Sequence, residues 1–252
     1  MISCRGLTLA LGKKPVLREV DWQVRPDDFW LVIGPNGAGK TSLLRVLARF
    51  LNDFAGEVSL AGRDIRSYGR NSLARMLAYL PQFEEMTLPF VTVRDILAAG
   101  RYPYKSLFRD YSAQDREAIE REVERFSLGA LLEREINHLS GGEKKKVFLA
   151  SAMVQDVPLI LLDEPMTFLD PGSMVRLFAD LRELNRRGRT IVIVSHHVEI
   201  AYPHVRQVLA LVQGRVAYCG ARPADLQVFR SVYGVGYGRS TDAGRDVVYL
   251  DV

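Results

Sequence analysis

The sequence predicts an α/β protein built on a mainly parallel sheet. Two unbroken apolar runs, 159–162 and 190–194, have the character of strands that helices cover on both faces. The segment between them, 173–187, has the character of a helix and ends at Gly188. Such an alternation of strand, helix and strand favours parallel strands joined by right-handed crossovers. The 252 residues fit one large domain or one domain with an inserted lobe.

The first part of the chain consists of short apolar pieces separated by turn residues such as Gly12 and Pro26. These pieces predict strands at 7–11, 20–24, 30–33 and 56–62. The segment 74–80 is compatible with a strand or a helix, and Pro81 ends it.

Beyond residue 83 the character changes to helical. Periodic segments at 93–99 and 112–128 flank a loop-like stretch at 101–104. The many Glu and Arg residues of the second segment are typical of a solvated helix face. The predicted organisation is a single domain with three parts: a core formed by 1–82 and 155–220, a helical lobe at 83–154, and a polar tail at 221–252.

Composition narrows the class of protein. The chain is 48% apolar and 25% charged, which is ordinary for a globular protein, and its net charge of +4 is too mild to indicate a nucleic-acid surface. Its two cysteines, Cys4 and Cys219, lack metal-ligand spacing and favour a reducing compartment. No signal-type apolar stretch follows Met1, and no run approaches the about 20 apolar residues of a membrane helix. If transport is involved, we expect another chain to form the pore.

The strand at 30–33 leads into a segment that fits the phosphate-binding pattern G-x-x-x-x-G-K-[ST]. Its residues, with the one that follows, are Gly34, Pro35, Asn36, Gly37, Ala38, Gly39, Lys40, Thr41 and Ser42. Glycines let backbone N–H groups turn towards an anion, and a helix that opens at Lys40 adds its positive end. Lys40 can reach the outer phosphates, and the Thr41 hydroxyl can hold Mg²⁺. A strand before and a helix after disfavour a glycine-rich turn that binds nothing, so we expect a nucleoside triphosphate here.

Two acids, Asp163 and Glu164, follow the strand at 159–162, at the edge where open parallel sheets bind ligands. We expect Asp163 to hold Mg²⁺ directly or through water, and Glu164 to polarise the attacking water. The metal and Lys40 would neutralise charge on the γ-phosphate. Solvent-facing acids at a strand end are the alternative, and the phosphate loop upstream makes it the weaker one.

The segment from Ser140 to Glu143 opens a second helix, which we predict at 144–154. Ser140 and Glu143 match a capping box, which needs no ligand. Gly141 and Gly142 are not required for capping, and they would allow a second anion to approach a helix start. His196, after the strand at 190–194, is within reach of a γ-phosphate if that strand neighbours the Asp163 strand; a structural histidine is the commoner case.

Taken together, the motifs resemble those of ATP-binding cassette (ABC) ATPases over about residues 7–220. They are the phosphate loop, Gln82, 139–143, Asp163 with Glu164, 168–170, and Ser195 with His196. The resemblance implies a P-loop NTPase fold with a parallel core sheet, an N-terminal antiparallel β subdomain and an inserted α-helical subdomain. It also implies catalytic roles for Glu164, His196, Lys40 and Gln82, and Mg²⁺ ligation by Thr41, Gln82 and Asp163.

The same resemblance implies a head-to-tail dimer with two ATP molecules at its interface. Ser140, Gly141, Gly142 and Glu143 of one subunit would face the ATP held by the other, and Asp170 would cross the interface. Stretches at 92–95, 100–103 and 232–235 are similar to those of importer ATPases for iron–siderophore, haem or cobalamin complexes.

This similarity implies partners and a location. We expect a homodimer on the cytoplasmic side of the cell membrane, peripheral to polytopic permease subunits that the segment from Gln82 to about Arg109 would contact. A substrate-binding protein would act indirectly, and no nucleic acid is expected. The alternatives are an ABC ATPase for another solute, such as a metal ion or lipid, or for export; a soluble non-transport ABC ATPase; and a degenerate regulatory ATPase.

Three features depart from the family pattern. Lys144 and Lys146 stand where a glutamine or arginine usually follows the signature, so charge is kept but planar hydrogen bonding is lost. Leu11 stands where an aromatic usually stacks on adenine, and stacking is worth about 1–3 kcal/mol per base. We therefore expect weaker or less base-selective nucleotide binding. His197 stands where an acid usually follows the switch histidine, and we expect His196 to be the one that contacts phosphate.

Overall fold

The computed structural model describes residues 1–82, 88–105, 110–223, 226–242 and 245–251. Its strands are β1 Ile2–Leu11, β2 Lys14–Val24, β3 Phe29–Ile33, β4 Phe54–Leu60, β5 Arg63–Asp64, β6 Leu77–Leu80, β7 Leu159–Asp163, β8 Thr190–Val194, β9 Gln207–Val212, β10 Arg215–Ala221, β11 Gly236–Asp242 and β12 Arg245–Asp251. Its α-helices are α1 Lys40–Leu47, α2 Arg70–Ala74, α3 Val93–Ala99, α4 Ala113–Arg125, α5 Gly141–Val154, α6 Pro171–Arg186, α7 Val198–Ala201 and α8 Gln227–Tyr233.

The central sheet has six strands in the order β10-β9-β3-β8-β7-β6. All neighbours in it are parallel except β10, which pairs antiparallel with β9. Every residue of β3, β7 and β8 is buried, because other elements of the chain cover both faces of the sheet. The α/β class, the parallel core and the adjacency of the 159–162 and 190–194 strands are therefore confirmed.

A separate antiparallel sheet, in the order β2-β1-β4-β5, holds the N-terminal strands. Leu7 and Leu17, on its inner face, lie in one hydrophobic cluster with Leu43 of α1 and Leu161 of β7. The antiparallel sheet thus packs over the first helix and one face of the central sheet. This agrees with the predicted N-terminal β subdomain.

The helical region, formed by α3, α4 and α5, has a core of its own. Its buried members are Val93, Leu97, Leu128, Ile136, Leu139, Val147, Ala150 and Val154. The charged helix α4 differs from the solvated helix that the sequence predicts, because Asp115 and Glu122 are buried. Asp115 pairs with Arg101 at 2.7 Å, which joins α4 to its surroundings, and Glu122 pairs with Arg125 of the same helix at 3.1 Å.

Helix α5 connects the helical region to the sheet. Val147 and Ala150 point into the helical core, whereas Leu149 and Met153 lie in the cluster beneath the central sheet. Helix α5 is therefore buried on two faces and belongs to both cores.

Two local expectations become definite in the structure. The ambiguous segment 74–80 ends helix α2 and then forms strand β6. The tail, predicted as short elements and polar sequence, contains α8 and the β11–β12 hairpin. Phe229 and Val232 of α8 are buried in the sheet-side cluster, so this part of the tail is packed rather than solvated.

Candidate active site

A cleft of about 630 Å³ opens at the carboxyl ends of β3, β7 and β8. Parallel strands end at the same edge of a sheet, so side chains that follow different strands meet there. The predicted site residues that line this cleft are Asn36, Gly37, Ala38, Gly39, Lys40, Thr41, Ser42, Gln82, Asp163, Glu164 and His196. Leu11 lies at its rim with an exposed fraction of 49%.

The phosphate loop leaves the start of α1 open. The residue before the helix, Gly39, has a left-handed backbone (φ 98°), and no side chain caps the first turn. A methyl group at Gly39 would lie 2.7 Å from the Leu17 Cδ2 atom and 2.8 Å from the Val16 carbonyl oxygen, so only glycine fits. The first-turn N–H groups are therefore free of a competing side chain at the cleft.

Lys40 is folded back onto its own loop. Its Nζ donates to the carbonyl oxygens of Gly34 at 2.6 Å and Pro35 at 3.0 Å. Burial lowers the pKa of Lys40, and the charges of Glu164 and Asp163 oppose that shift. The ammonium thus sits beside both acids, and phosphate oxygens would replace carbonyls as its acceptors.

The surroundings of Asp163 fit a divalent cation. Its exposed fraction is 0%, and within the described residues its Oδ1 atom has no hydrogen-bond partner. Burial raises the pKa of Asp163, and the Thr41 hydroxyl is the first group to oppose that shift. A buried carboxylate oxygen without a donor is a suitable Mg²⁺ ligand, and Mg²⁺ sites usually combine one or two carboxylates with phosphate oxygens and water. Thr41 and Gln82 line the same cleft and can complete the donor set.

Glu164 lies in a strained turn next to His196. Its backbone is left-handed (φ 48°), a conformation that costs a non-glycine residue about 1–2 kcal/mol. Its N–H donates to the Val194 carbonyl at 3.0 Å, and His196 Nδ1 lies 2.8 Å from its Oε2. The neighbouring strands β7 and β8 therefore bring acid and imidazole together at the cleft.

The two consecutive histidines face different surroundings. The His196 side chain is 58% exposed and lines the cleft, whereas His197 is 30% exposed and lies 3.6 Å from Glu199. Of the two, His196 is thus the histidine that lines the cleft, and its contact with a phosphate stays a prediction.

The second predicted anion site is arranged differently. Ser140 Oγ accepts from the Glu143 N–H at 3.3 Å, and Glu143 Oε2 accepts from the Ser140 N–H at 2.8 Å, which completes a capping box. A methyl group at Gly142 would lie 3.1 Å from the Phe168 carbonyl oxygen, so this glycine also permits close packing within the chain. None of Ser140, Gly141 and Gly142 lines the cleft of their own chain.

Asp170 likewise has a local role, because its carboxylate accepts from the Ser173 N–H at 2.9 Å and so caps α6.

Two residues at the site were missed from the sequence. The Tyr233 hydroxyl, on α8, accepts from the Gly34 N–H at 3.2 Å, and burial raises the pKa of Tyr233 to about 12. Lys145 is buried behind Glu164 and donates to its carbonyl oxygen. The available signal for Lys145 is its spacing, four residues before Leu149 and eight before Met153, on the core-facing stripe of α5.

Comparison with known proteins gives a family. The family model described as ABC transporter matches residues 17–167. An achromobactin transport ATP-binding protein of Dickeya dadantii is 35% identical over 226 residues, covering 89% of this chain and 83% of the relative. A ferric enterobactin transport ATP-binding protein of Escherichia coli is 33% identical, covering 91% and 85%. A hemin import ATP-binding protein of Pseudomonas entomophila is 35% identical, covering 85% and 84%.

Solved structures share the fold. An ATP-binding subunit of an ABC transporter superposes with a TM-score of 0.80 at 24% identity, over 93% of each chain. An ATP-binding cassette of another ABC transporter superposes with a TM-score of 0.75 at 26% identity, covering 88% of this chain and 91% of that one. The chain belongs to the ABC transporter family of ATPases, and it resembles the ATP-binding proteins of siderophore and haem import.

Proposed function

We propose that this chain hydrolyses ATP for an importer of an iron–siderophore, haem or cobalamin complex. The supporting observation is the cleft at the ends of β3, β7 and β8, where the uncapped start of α1 faces Asp163 and Glu164. The named relatives act in siderophore and haem import, which supports this class of solute.

In the proposed mechanism the N–H groups of the loop and the Lys40 ammonium bind the β- and γ-phosphates. Asp163, Thr41 and Gln82 hold Mg²⁺, which supplies positive charge against the phosphate oxygens. Glu164 accepts a proton from the water whose oxygen attacks the γ-phosphorus, as the bond to the bridging oxygen of ADP breaks. His196, 2.8 Å from Glu164, orients that carboxylate and lies close enough to contact the γ-phosphate.

The proposed assembly is a head-to-tail homodimer. Ser140, Gly141 and Gly142 lie outside their own cleft, so a second subunit is needed to bring them to a nucleotide. An ATP-binding cassette solved as a dimer bound to ADP and phosphate shares this fold, with a TM-score of 0.76 at 21% identity. In this dimer ATP lies between the positive start of α1 in one subunit and that of α5 in the other, and Asp170 lies at the interface.

The proposed location is the cytoplasmic side of the membrane, next to permease subunits. Within the described residues, none of the helices has both the length and the apolar character needed to cross a bilayer. The segment proposed to contact the permease, 82–109, is described at Gln82 and at 88–105, while 83–87 and 106–109 lie outside the described residues. A substrate-binding protein would deliver the solute to the permease rather than to this chain.

The central test replaces Glu164. Glu164→Gln keeps shape and hydrogen bonding but removes the proton acceptor, so we expect kcat to fall by about 10²–10⁴-fold while ATP binding remains. Gel filtration should then show a dimer trapped by ATP. Glu199→Gln, a carboxamide substitution outside the cleft, is the matched control. Undiminished hydrolysis by Glu164→Gln would remove Glu164 from its role.

The solute is tested on the native complex. Purification of this chain from its source should recover a polytopic membrane protein, and the ATPase rate of the complex should rise with one of the iron–siderophore, haem or cobalamin solutes. Recovery of the chain without a membrane partner would favour the soluble ABC ATPase instead.

A further inference from the structure

Lys145 is a buried cation that the proposed mechanism does not use. It lies in α5, five residues after Ser140, and its exposed fraction is 0%. Lysine is among the residues least often fully buried, because removing an ammonium from water is costly unless it is paired. A lysine retained in such a place calls for a compensating interaction.

That interaction is with the active-site turn. Lys145 Nζ donates to the main-chain oxygen of Glu164 at 3.1 Å. Burial lowers the pKa of Lys145 to about 8, and the charges of Asp163 and Glu164 oppose that shift. The Lys145 amine therefore lies behind the two acids, outside the cleft that their carboxylates line.

The packing of α5 brings the amine there. Lys145, Leu149 and Met153 follow one another at four-residue spacing on a single helix face. Leu149 and Met153 lie in the sheet-side core together with Leu162 and Met166, which flank the Asp163–Glu164 turn in sequence. The apolar contacts thus fix the direction of the Lys145 side chain.

The Glu164 peptide needs such support because its backbone is left-handed (φ 48°). Its N–H is bound to the Val194 carbonyl, and its carbonyl accepts from Lys145 and, at 3.3 Å, from Thr167 Oγ1. A peptide held from both sides sets the direction in which the side chain leaves the main chain.

We propose that Lys145 is a positioning residue, which fixes the Glu164 peptide so that the carboxylate is aimed at the attacking water. This inference rests on the proposed role of Glu164. Misplacement of a reacting group by about 1 Å can cost about 10²-fold in rate, so losing this anchor should reduce turnover strongly. Binding of ATP should be spared, because Lys145 does not line the cleft.

The test uses Lys145→Met in the complete subunit. Methionine is unbranched and apolar, and Thr167 remains to pair the Glu164 carbonyl, so the variant should fold with an unchanged or higher Tm. We expect kcat to fall by about 10–10²-fold while the Kd for ATP stays within about twofold. Lys145→Arg keeps a charged donor and should recover part of kcat. Lys146→Met, the next residue on the helix and only half-buried, is the control and should hydrolyse ATP at the normal rate.

The outcomes separate the possibilities. Normal kcat in Lys145→Met overturns the proposal, and so does a parallel loss of Tm, ATP affinity and kcat, which would indicate a purely structural lysine. If the methionine variant does not accumulate, Lys145→Gln, with a shorter neutral donor, is measured for the same split between kcat and Kd. Retained ATP hydrolysis in Glu164→Gln would instead contradict the proposed function, independently of the result for the Lys145 variants.

Discussion

Helices α1 and α5 both begin with glycine-containing turns, yet the backbone groups of their first turns are satisfied differently. At α1 the preceding residue is Gly39, no side chain caps the helix, and the loop's only cation, Lys40, is bonded to loop carbonyls. At α5 the Ser140 and Glu143 side chains occupy backbone donors in a complete capping box. The first turn of α1 is thus open to a ligand at the cleft, whereas the first turn of α5 is closed by side chains of its own chain.

This difference indicates how the starts of α1 and α5 can each bind phosphate. The α1 start needs only an exchange of acceptors at Lys40, so a single subunit can bind ATP there. At α5 the Ser140 hydroxyl already contacts Glu143, and a phosphate would have to share or displace that contact. We therefore expect ATP to bind first at α1 and the α5 start to engage only when a second subunit closes over it.

The largest effect on nucleotide binding is expected at the open start of α1. Lys40→Met removes a charge-assisted donor, worth about 1.5–3 kcal/mol, and leaves the ATP phosphates less neutralised. We predict about 10²-fold weaker binding of a fluorescent ATP analogue to the isolated subunit. Lys13→Met, in the exposed turn between β1 and β2, is the control. Equal affinity of both variants for the ATP analogue would contradict this difference between the helix starts, because the α1 start would then not be the primary ATP site.

A smaller effect on nucleotide affinity is expected at Leu11, at the rim of the same cleft. Leu11→Tyr adds a ring beside the space for the base, and one stacked base is worth about 1–3 kcal/mol. We predict about tenfold tighter ATP binding by titration, with a similar gain for GTP because stacking is sequence-tolerant. A large ATP-over-GTP preference in the unchanged chain would indicate that a residue other than Leu11 grips the base.

The smallest effect on the folded chain is expected at the closed start. Ser140→Ala removes the cap of α5 and should lower the free energy of unfolding by about 1 kcal/mol, while ATP binding to the isolated subunit is unchanged. Thr92→Ala, which removes the equivalent capping box of α3, should cost the same stability. Only Ser140→Ala should also slow hydrolysis. If the two variants hydrolyse ATP equally well, the α5 start is a structural cap alone.

Much of the candidate site could be predicted from the order of residues along the chain. The loop residues from Asn36 to Thr41, the acids after β7 and His196 after β8 all meet at one cleft, because parallel strands present their carboxyl ends to the same edge. The capping box of Ser140 and Glu143 was also predictable, since it depends on contacts within one helical turn.

Other features depended on distant partners. Glu122 pairs with Arg125 on the same helix, but its burial requires elements from other parts of the chain to pack against α4. The Tyr233 hydroxyl meets Gly34 across 199 residues, and no local pattern carries that pairing.

By itself the sequence determined the class of fold, the phosphate loop and the family, because each is written in short-range patterns of apolar, glycine and charged residues. Only the tertiary structure decided which of two helix starts is open, and that Lys145 lies beneath Glu164. The physical reason is that burial and electrostatic pairing are properties of the surfaces that meet, and a residue acquires them only when another part of the chain packs against it.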